Sequence, residues 1–186
     1  MIPPQRGDPE PGAADALTGL ALAARDGDPA ASAAFVRATQ ADVWRFVAAL
    51  LDTQAADDVT QETYLRAFRA LPAYQGRSSV RTWLLGIARR ACADHIRALA
   101  RARRLDRRLA DEPAAYATDP AGPLAAADLL RRLSPERRAA FALTQVLGLS
   151  YVEAAAVEAV PVGTIRSRVA RARADLIEAV TNAMAS

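Results

Sequence analysis

Apolar positions recur along this chain at the spacing of helices rather than strands. Phe35, Val36, Val43, Trp44, Phe46, Val47, Leu50 and Leu51 predict a helix with a broad apolar face, opened by Asp28 as N-cap and Pro29 at the first helical position. A second helix opens with the carboxylates of Asp57 and Asp58 and stops at Leu71-Pro72; Tyr64, Phe68 and Leu71 share one side, while Asp58, Gln61 and Glu62 cluster away from it. After a loop from Tyr74 to Ser79, with Ser78 or Ser79 as cap, Val80, Leu84, Ile87, Ala88, Ala91, His95 and Leu99 form one face of a third helix. Arg90, Ala93 and Arg97 form the other. Further on, Leu124 to Leu133 begins a second helical group. Ser134-Pro135-Glu136 opens a helix through Phe141, Leu143 and Val146 that Gly148 closes, and Ser150 with Glu153 makes a capping box for the next, through Val157.

The turn Ala159-Val160-Pro161 leads into the last helix. At about 100° per residue, Val162, Ile165, Val169, Ala172 and Leu176 fall on one stripe. Ser167 lies opposite, flanked by Arg166, Ala170 and Arg171. Taken alone, this helix fits both a solvated basic face and a face presenting arginines and a hydroxyl to DNA. A helix, a short turn and a basic amphipathic helix in succession make a helix-turn-helix, which favours reading DNA in the major groove.

Composition narrows the picture. The 186 residues are 52% hydrophobic and only 5% aromatic, an alanine-carried excess that favours closely packed helices. Every one of the 24 basic residues is arginine and the net charge is only +3, so its distribution matters more than its size. Residues 1–75 carry a net −4, residues 76–110 a net +8, residues 111–130 a net −4 and residues 131–186 a net +3. Two basic blocks separated by an acidic one suggest two contacts with a polyanion, joined by a segment that avoids it. Asp111, Glu112, Pro113, Asp119, Pro120, Gly122 and Pro123 mark that segment as an interdomain linker.

One cysteine, Cys92, and one histidine, His95, exclude a disulfide framework within the chain and a zinc site built from Cys and His. Both fall on the apolar side of their helix and read as packed residues. No run approaches the roughly 18 apolar residues of a membrane span, and the proline- and acid-rich start lacks a signal-peptide core. The expectation is a cytoplasmic protein with a disordered tail over residues 1–12.

Three stretches together resemble the extracytoplasmic-function (ECF) sigma factors of the sigma-70 family. They are Asp57 to Ala67; Arg81-Thr82-Trp83-Leu84-Leu85-Gly86-Ile87-Ala88-Arg89-Arg90 with Asp94 and Arg97; and Gly148 to Ala155 with Pro161 to Arg168. Ala38-Thr39-Gln40 and Asp42 to Ala48 look most like the actinobacterial sigma-C branch. The resemblance implies an all-α chain of two small helical domains joined by a flexible acidic linker. Residues 13–104 would be the region 2 bundle, 105–123 the linker and 124–182 the region 4 helix-turn-helix.

It also implies roles. Asp57, Asp58, Gln61 and Glu62 would bind the clamp coiled coil of core RNA polymerase, whose flap is a further contact of the protein. Arg77, Ser78, Ser79, Arg81, Trp83, Arg90, Asp94 and Arg97 would recognise and open the minus-ten promoter element. Pro161, Thr164, Arg166, Ser167, Arg168, Arg171 and Arg173 would bind the minus-thirty-five element, with Arg168 and Arg173 on phosphates. An anti-sigma factor is a further partner that the resemblance allows, although no residue identifies one. No cofactor, metal, membrane or small-molecule substrate is expected. The family often has glycine in the turn before the recognition helix; with Ala159 there, a left-handed backbone would cost about 1 kcal/mol and the turn could take another shape.

The rival reading is a helix-turn-helix regulator that binds an operator without being a polymerase subunit. Against it, the N-terminal half shows no ligand or phosphoacceptor constellation. A helical interaction module would leave the Arg166 to Arg173 pattern unexplained. An enzyme is disfavoured, because the chain has no glycine-rich phosphate loop and no catalytic cluster.

Overall fold

In the computed structural model, which describes residues 11–76, 78–109 and 126–184, Asp28 caps the helix it precedes. Its carboxylate accepts hydrogen bonds from Ala30 N (2.8 Å) and Ala31 N (3.2 Å), satisfying donors that the first helical turn leaves free. That helix, α2 (Pro29–Leu50), packs on the preceding α1 (Pro11–Arg25) and buries Phe35, Val43, Phe46, Val47 and Leu50.

Helix α3 (Thr53–Ala70) starts four residues before Asp57, because Asp52 is the N-cap and accepts from Ala55 N at 2.7 Å. Asp57 and Asp58 therefore sit in its second turn, not at its opening. Ala56, Val59, Thr63, Tyr64 and Ala67 face α2 and α4. Thr39 Oγ1 donates to Phe35 O (2.7 Å), so the Tyr64 hydroxyl must donate to Thr39 Oγ1, 2.7 Å away. Burial pushes the Tyr64 phenol up to about 12.

A 3-10 turn at Leu71–Ala73 ends this segment, and α4 (Val80–Leu109) begins after Ser79, whose hydroxyl accepts from Thr82 N at 3.2 Å. Its 30 residues span about 45 Å. The expected domain boundary at residue 104 falls inside this helix, which carries on through the arginine-rich stretch into the expected linker. The rest of that linker, residues 110–123, lies outside the described residues, as does the expected tail up to residue 10.

The second group comprises α5 (Ala126–Arg132), α6 (Pro135–Phe141), α7 (Tyr151–Glu158) and α8 (Val162–Met184). Ser134 caps α6, and Ser150 with Glu153 forms both halves of a capping box on α7. Helix α6 does not run on regularly through Val146. Residues Ala142–Val146 are wound as a π-helix, with Leu147 N donating to Ala142 O at 3.0 Å, and Gly148 then turns left-handed at φ 71°. Leu149 N reaches back to Leu143 O at 2.9 Å, one residue further than the 6→1 bond of a Schellman ending, across the π-wound segment.

The turn before α8 keeps the left-handed shape despite its alanine: Ala159 has φ 54° and ψ 46°. Val160 N donates to Ala155 O (3.1 Å), and Pro161 O accepts from Thr164 N (2.9 Å), starting α8 directly after the turn. In α8, Ile165, Val169 and Ala172 are buried, as the stripe predicts.

The two groups share one apolar core, in which Phe35, Leu84 and Ala88 of the first belong to the same cluster as Leu143, Val157 and Ile165 of the second. Helix α7 lies on α4 and α6 on α2. Three arginines secure the seam. Arg81 donates to Leu147 O (2.8 Å), Arg138 to Leu50 O (3.2 Å), and Arg89 to the Glu158 carboxylate. Burial lowers the pKa of Arg138, whose Nη2 also donates to Arg131 O and Leu133 O.

Candidate nucleic-acid interface

Helix α8 docks by Ile165, Val169 and Ala172, and this fixes which of its side chains reach outward. Arg166, Ser167 and Arg171 are exposed, as is Pro161, while Thr164 is half-buried. The Ser167 hydroxyl donates to Thr164 O at 2.9 Å, which leaves its lone pairs outward. Among the described residues Arg166 and Arg171 have no hydrogen-bond or ion-pair partner, so their donors are available to bases or phosphates.

Arg168 and Arg173 are placed differently. Arg168 Nη1 lies 3.3 Å from Glu158 Oε2, and Arg173 Nη2 donates to Gln145 Oε1 at 2.7 Å. Both tie α8 to the elements before it, and both keep donors that an arginine pair leaves over.

The other expected DNA-reading residues gather around the start and the outer face of α4. Arg77 lies outside the described residues. Ser78 O accepts from the Tyr74 hydroxyl at 2.6 Å, Ser79 caps α4, and Trp83 packs on Tyr74 with ring centroids 5.1 Å apart. A tyrosine and a tryptophan thus brace the loop before α4. Arg81 is occupied: it bonds Asp42 at 2.7 Å as well as Leu147 O. Arg90 is exposed and has no partner among the described residues, whereas Asp94 lies between Arg66 and Arg97 and accepts from both. Those two guanidiniums hold the Asp94 carboxyl below the usual carboxylate range.

On α3, Asp58 and Gln61 are exposed and Glu62 is half-buried, and Leu65 continues the same stripe at 51% exposure. Leu65 thus lies open beside an amide and two acids, of which Glu62 accepts from Arg66 Nε at 2.7 Å. Asp57 sits to one side, where its Oδ1 accepts from Trp44 Nε1 at 2.8 Å. Trp44 is 38% exposed, so this edge of the α2–α3 surface is aromatic as well as acidic.

Sequence reasoning overlooked Leu65, Trp44 and Arg66. The apolar spacing of α3 could have given Leu65 away, but the bond of Arg66 to Asp94 crosses 28 positions and leaves no local sign. Among the described residues no group of acids, cysteine and histidine is placed to hold a metal ion.

The chain matches two protein families, Sigma-70 region 2 over residues 35–117 and Sigma-70, region 4 over residues 124–176. It is 50% identical over 167 residues to the probable RNA polymerase sigma-C factor of Mycobacterium bovis, covering 88% of this chain and 90% of that protein. The ECF RNA polymerase sigma factor SigC of Mycobacterium tuberculosis gives the same 50% over 167 residues and the same shares. Among solved structures, CnrH in complex with the cytosolic domain of CnrY superposes with a TM-score of 0.70 at 29% identity, covering 91% of this chain and 99% of that one. The sigma factor RpoE in complex with the anti-sigma factor NepR from Bartonella quintana gives 0.65 at 27% identity, covering 78% and 94%.

Proposed function

Because the chain belongs to the ECF sigma factors of the sigma-70 family and is an RNA polymerase sigma factor, we propose that its two basic faces read the two elements of a promoter. The observation that carries the upstream assignment is the pair Arg166 and Arg171, exposed and unpartnered on the side of α8 away from its buried stripe. Guanidiniums so placed can pair bidentately with guanine or clamp phosphates. Ser167 lies between them, and Arg168 and Arg173 follow the backbone with the donors left over from Glu158 and Gln145. Pro161 and Thr164 bring the helix start against the duplex.

The minus-ten element falls to the loop of residues 76–79 and to α4. Opening a duplex needs freed bases held by protein and a basic path for the freed backbone. Trp83, braced by Tyr74, offers an aromatic surface; Arg90 and Arg97 offer the charge. Arg81 can join them only by giving up Asp42 and Leu147 O, so we place it at the edge of this site.

Core polymerase is bound by Asp57, Asp58, Gln61 and Glu62, with Leu65 adding apolar area to an otherwise polar patch. The solved relatives bound to CnrY and to the anti-sigma factor NepR support an anti-sigma partner for this chain as well. The protein works in the cytoplasm, where its polymerase is. In keeping with that, no helix among the described residues is long and apolar enough to cross a membrane.

Transcription reconstituted with core polymerase on a promoter library tests this reading. Selection of a two-element promoter is the expected result; an operator-like site bound equally well without core polymerase would overturn it. In the same assay Asp58→Arg, at an exposed position with no partner to lose, should weaken core binding and leave the fold intact.

A further inference from the structure

Between α3 and α4 lies a cavity of about 370 Å³ whose polar lining is Arg66, Arg90, Asp94 and Arg97 and whose apolar lining includes Ala70 and Ile87. Its charges form a chain. Arg66 Nε donates to Glu62 Oε1 (2.7 Å) and Arg66 Nη1 to Asp94 Oδ2 (2.5 Å), while Arg97 donates to Asp94 Oδ1. Three guanidiniums face two carboxylates, and Arg90 has no partner among the described residues. Each Asp94 oxygen already accepts one bond, so its remaining lone pairs are outnumbered by the surplus donors of three arginines. Such a lining favours an acceptor-rich anion.

We propose that this cavity seats a backbone phosphate of the opened promoter strand, and that Arg66, on a helix otherwise assigned to polymerase, is a DNA-binding residue. The proposal rests on the minus-ten assignment of Arg90 and Arg97 and deepens it. Arg66 lies about 140° round α3 from Gln61 but only about 40° from Glu62, so it borders the polymerase patch on the side that faces α4, where it reaches Asp94. Glu62 and Asp94 hold its guanidinium at two points, which removes rotamer freedom before DNA arrives. Asp94 takes a different part from the one the family resemblance implies. With each oxygen already accepting from an arginine, it spreads Arg66 and Arg97 across the cavity and is a positioning residue rather than a reader of bases.

The test uses the protein assembled with core polymerase and a labelled single-stranded oligonucleotide carrying the non-template minus-ten sequence of a promoter that the wild-type assembly selects. Affinity is measured across a salt series for wild type, Arg66→Ala and Arg66→Gln, the last removing the charge but keeping a donor at about the level of Nε, where Glu62 pairs, should the alanine variant fold poorly. Loss of one phosphate contact should reduce the slope of log affinity against log salt by about 0.7, with affinity for core polymerase unchanged. Arg66→Lys should restore the slope. An unchanged slope overturns the proposal; if core affinity falls with it, Arg66 belongs to the polymerase face, and if nothing falls, it is structural. Asp94→Asn should leave base preference at every minus-ten position as in wild type, and a changed preference would make Asp94 a reader after all. Should the wild-type assembly itself show no salt-dependent binding to this strand, the minus-ten assignment fails irrespective of Arg66.

Discussion

Arg89 Nε on α4 lies 2.6 Å from Glu158 Oε1 on α7, and the Glu158 side chain is only 3% exposed. Its second oxygen takes Arg168 of α8 at 3.3 Å. One carboxylate at the end of α7 therefore binds the region 2 helix on one side and the DNA-reading helix on the other. Removing it leaves two arginines facing a closed seam. Because both arginines remain partly exposed, we expect Glu158→Ala to cost about 2 kcal/mol, less than the roughly 3–5 kcal/mol of a fully buried pair. Urea denaturation measures this. A loss within about 0.5 kcal/mol would show that water replaces the carboxylate without penalty.

Arg166 and Arg171 are the α8 arginines the fold leaves unpartnered, and this separates them from Arg168 and Arg173. Arg166→Ala or Arg171→Ala should cost about 1–3 kcal/mol of discrimination at one upstream position if the contact is to a base. Arg168→Ala should also loosen the seam at Glu158, so it should lower thermal stability where Arg166→Ala does not. Promoter selection by the reconstituted polymerase, read beside melting curves, distinguishes the two classes.

Ala159 holds φ 54° and ψ 46°, where its Cβ crowds the following carbonyl. Ala159→Gly relieves this and should stabilise the protein by about 0.5–1 kcal/mol, the relief outweighing the added freedom of the unfolded chain. A destabilised glycine variant in urea would mean that the alanine methyl packs better than its backbone suffers.

Two buried acids predict alkaline sensitivity. Burial pushes the Cys92 thiol from 9.0 up to about 12, and the Tyr64 phenol from 10.0 up to about 12. Between those limits the unfolded chain releases protons that the folded chain keeps, so the unfolded state gains and stability falls as pH rises from about 9 to about 12. Unfolding midpoints at pH 8 and 10.5 should show the drop, and Cys92→Ala should make it shallower. Cys92 is 0% exposed, so thiol reagents should label it only on unfolding.

Much of the local architecture was legible in the chain. Asp28, Ser134 and Ser150 with Glu153 were each readable as caps, and Ser79 as one of two candidates with Ser78, because a cap is a bond over two or three residues and needs no tertiary partner. The same holds for the buried stripe of α8, which periodicity alone places. Where the local signal was weak, the reading slipped: Asp52 begins α3 ahead of an apolar pattern too thin to announce it, and the π-wound segment at Ala142–Val146 carries no sequence mark. The Ala159 turn went the other way. Its unfavourable backbone is held by Val160 N on Ala155 O and by the docking of α8, neither of which a dipeptide preference can register.

By itself the amino-acid sequence determined most of the helices and of their caps, the banding of charge and the family, since these follow from bonds and periods within a few residues or from motifs in a fixed order. Only the tertiary structure decided which arginines are free. Arg66, Arg81, Arg89 and Arg168 look on paper like Arg90, Arg166 and Arg171, yet the first four are engaged by Asp94, Asp42 and Glu158 and the last three are not. Charges pair through space, at distances that packing sets and in surroundings whose burial sets their strength, and neither quantity is written in the order of residues.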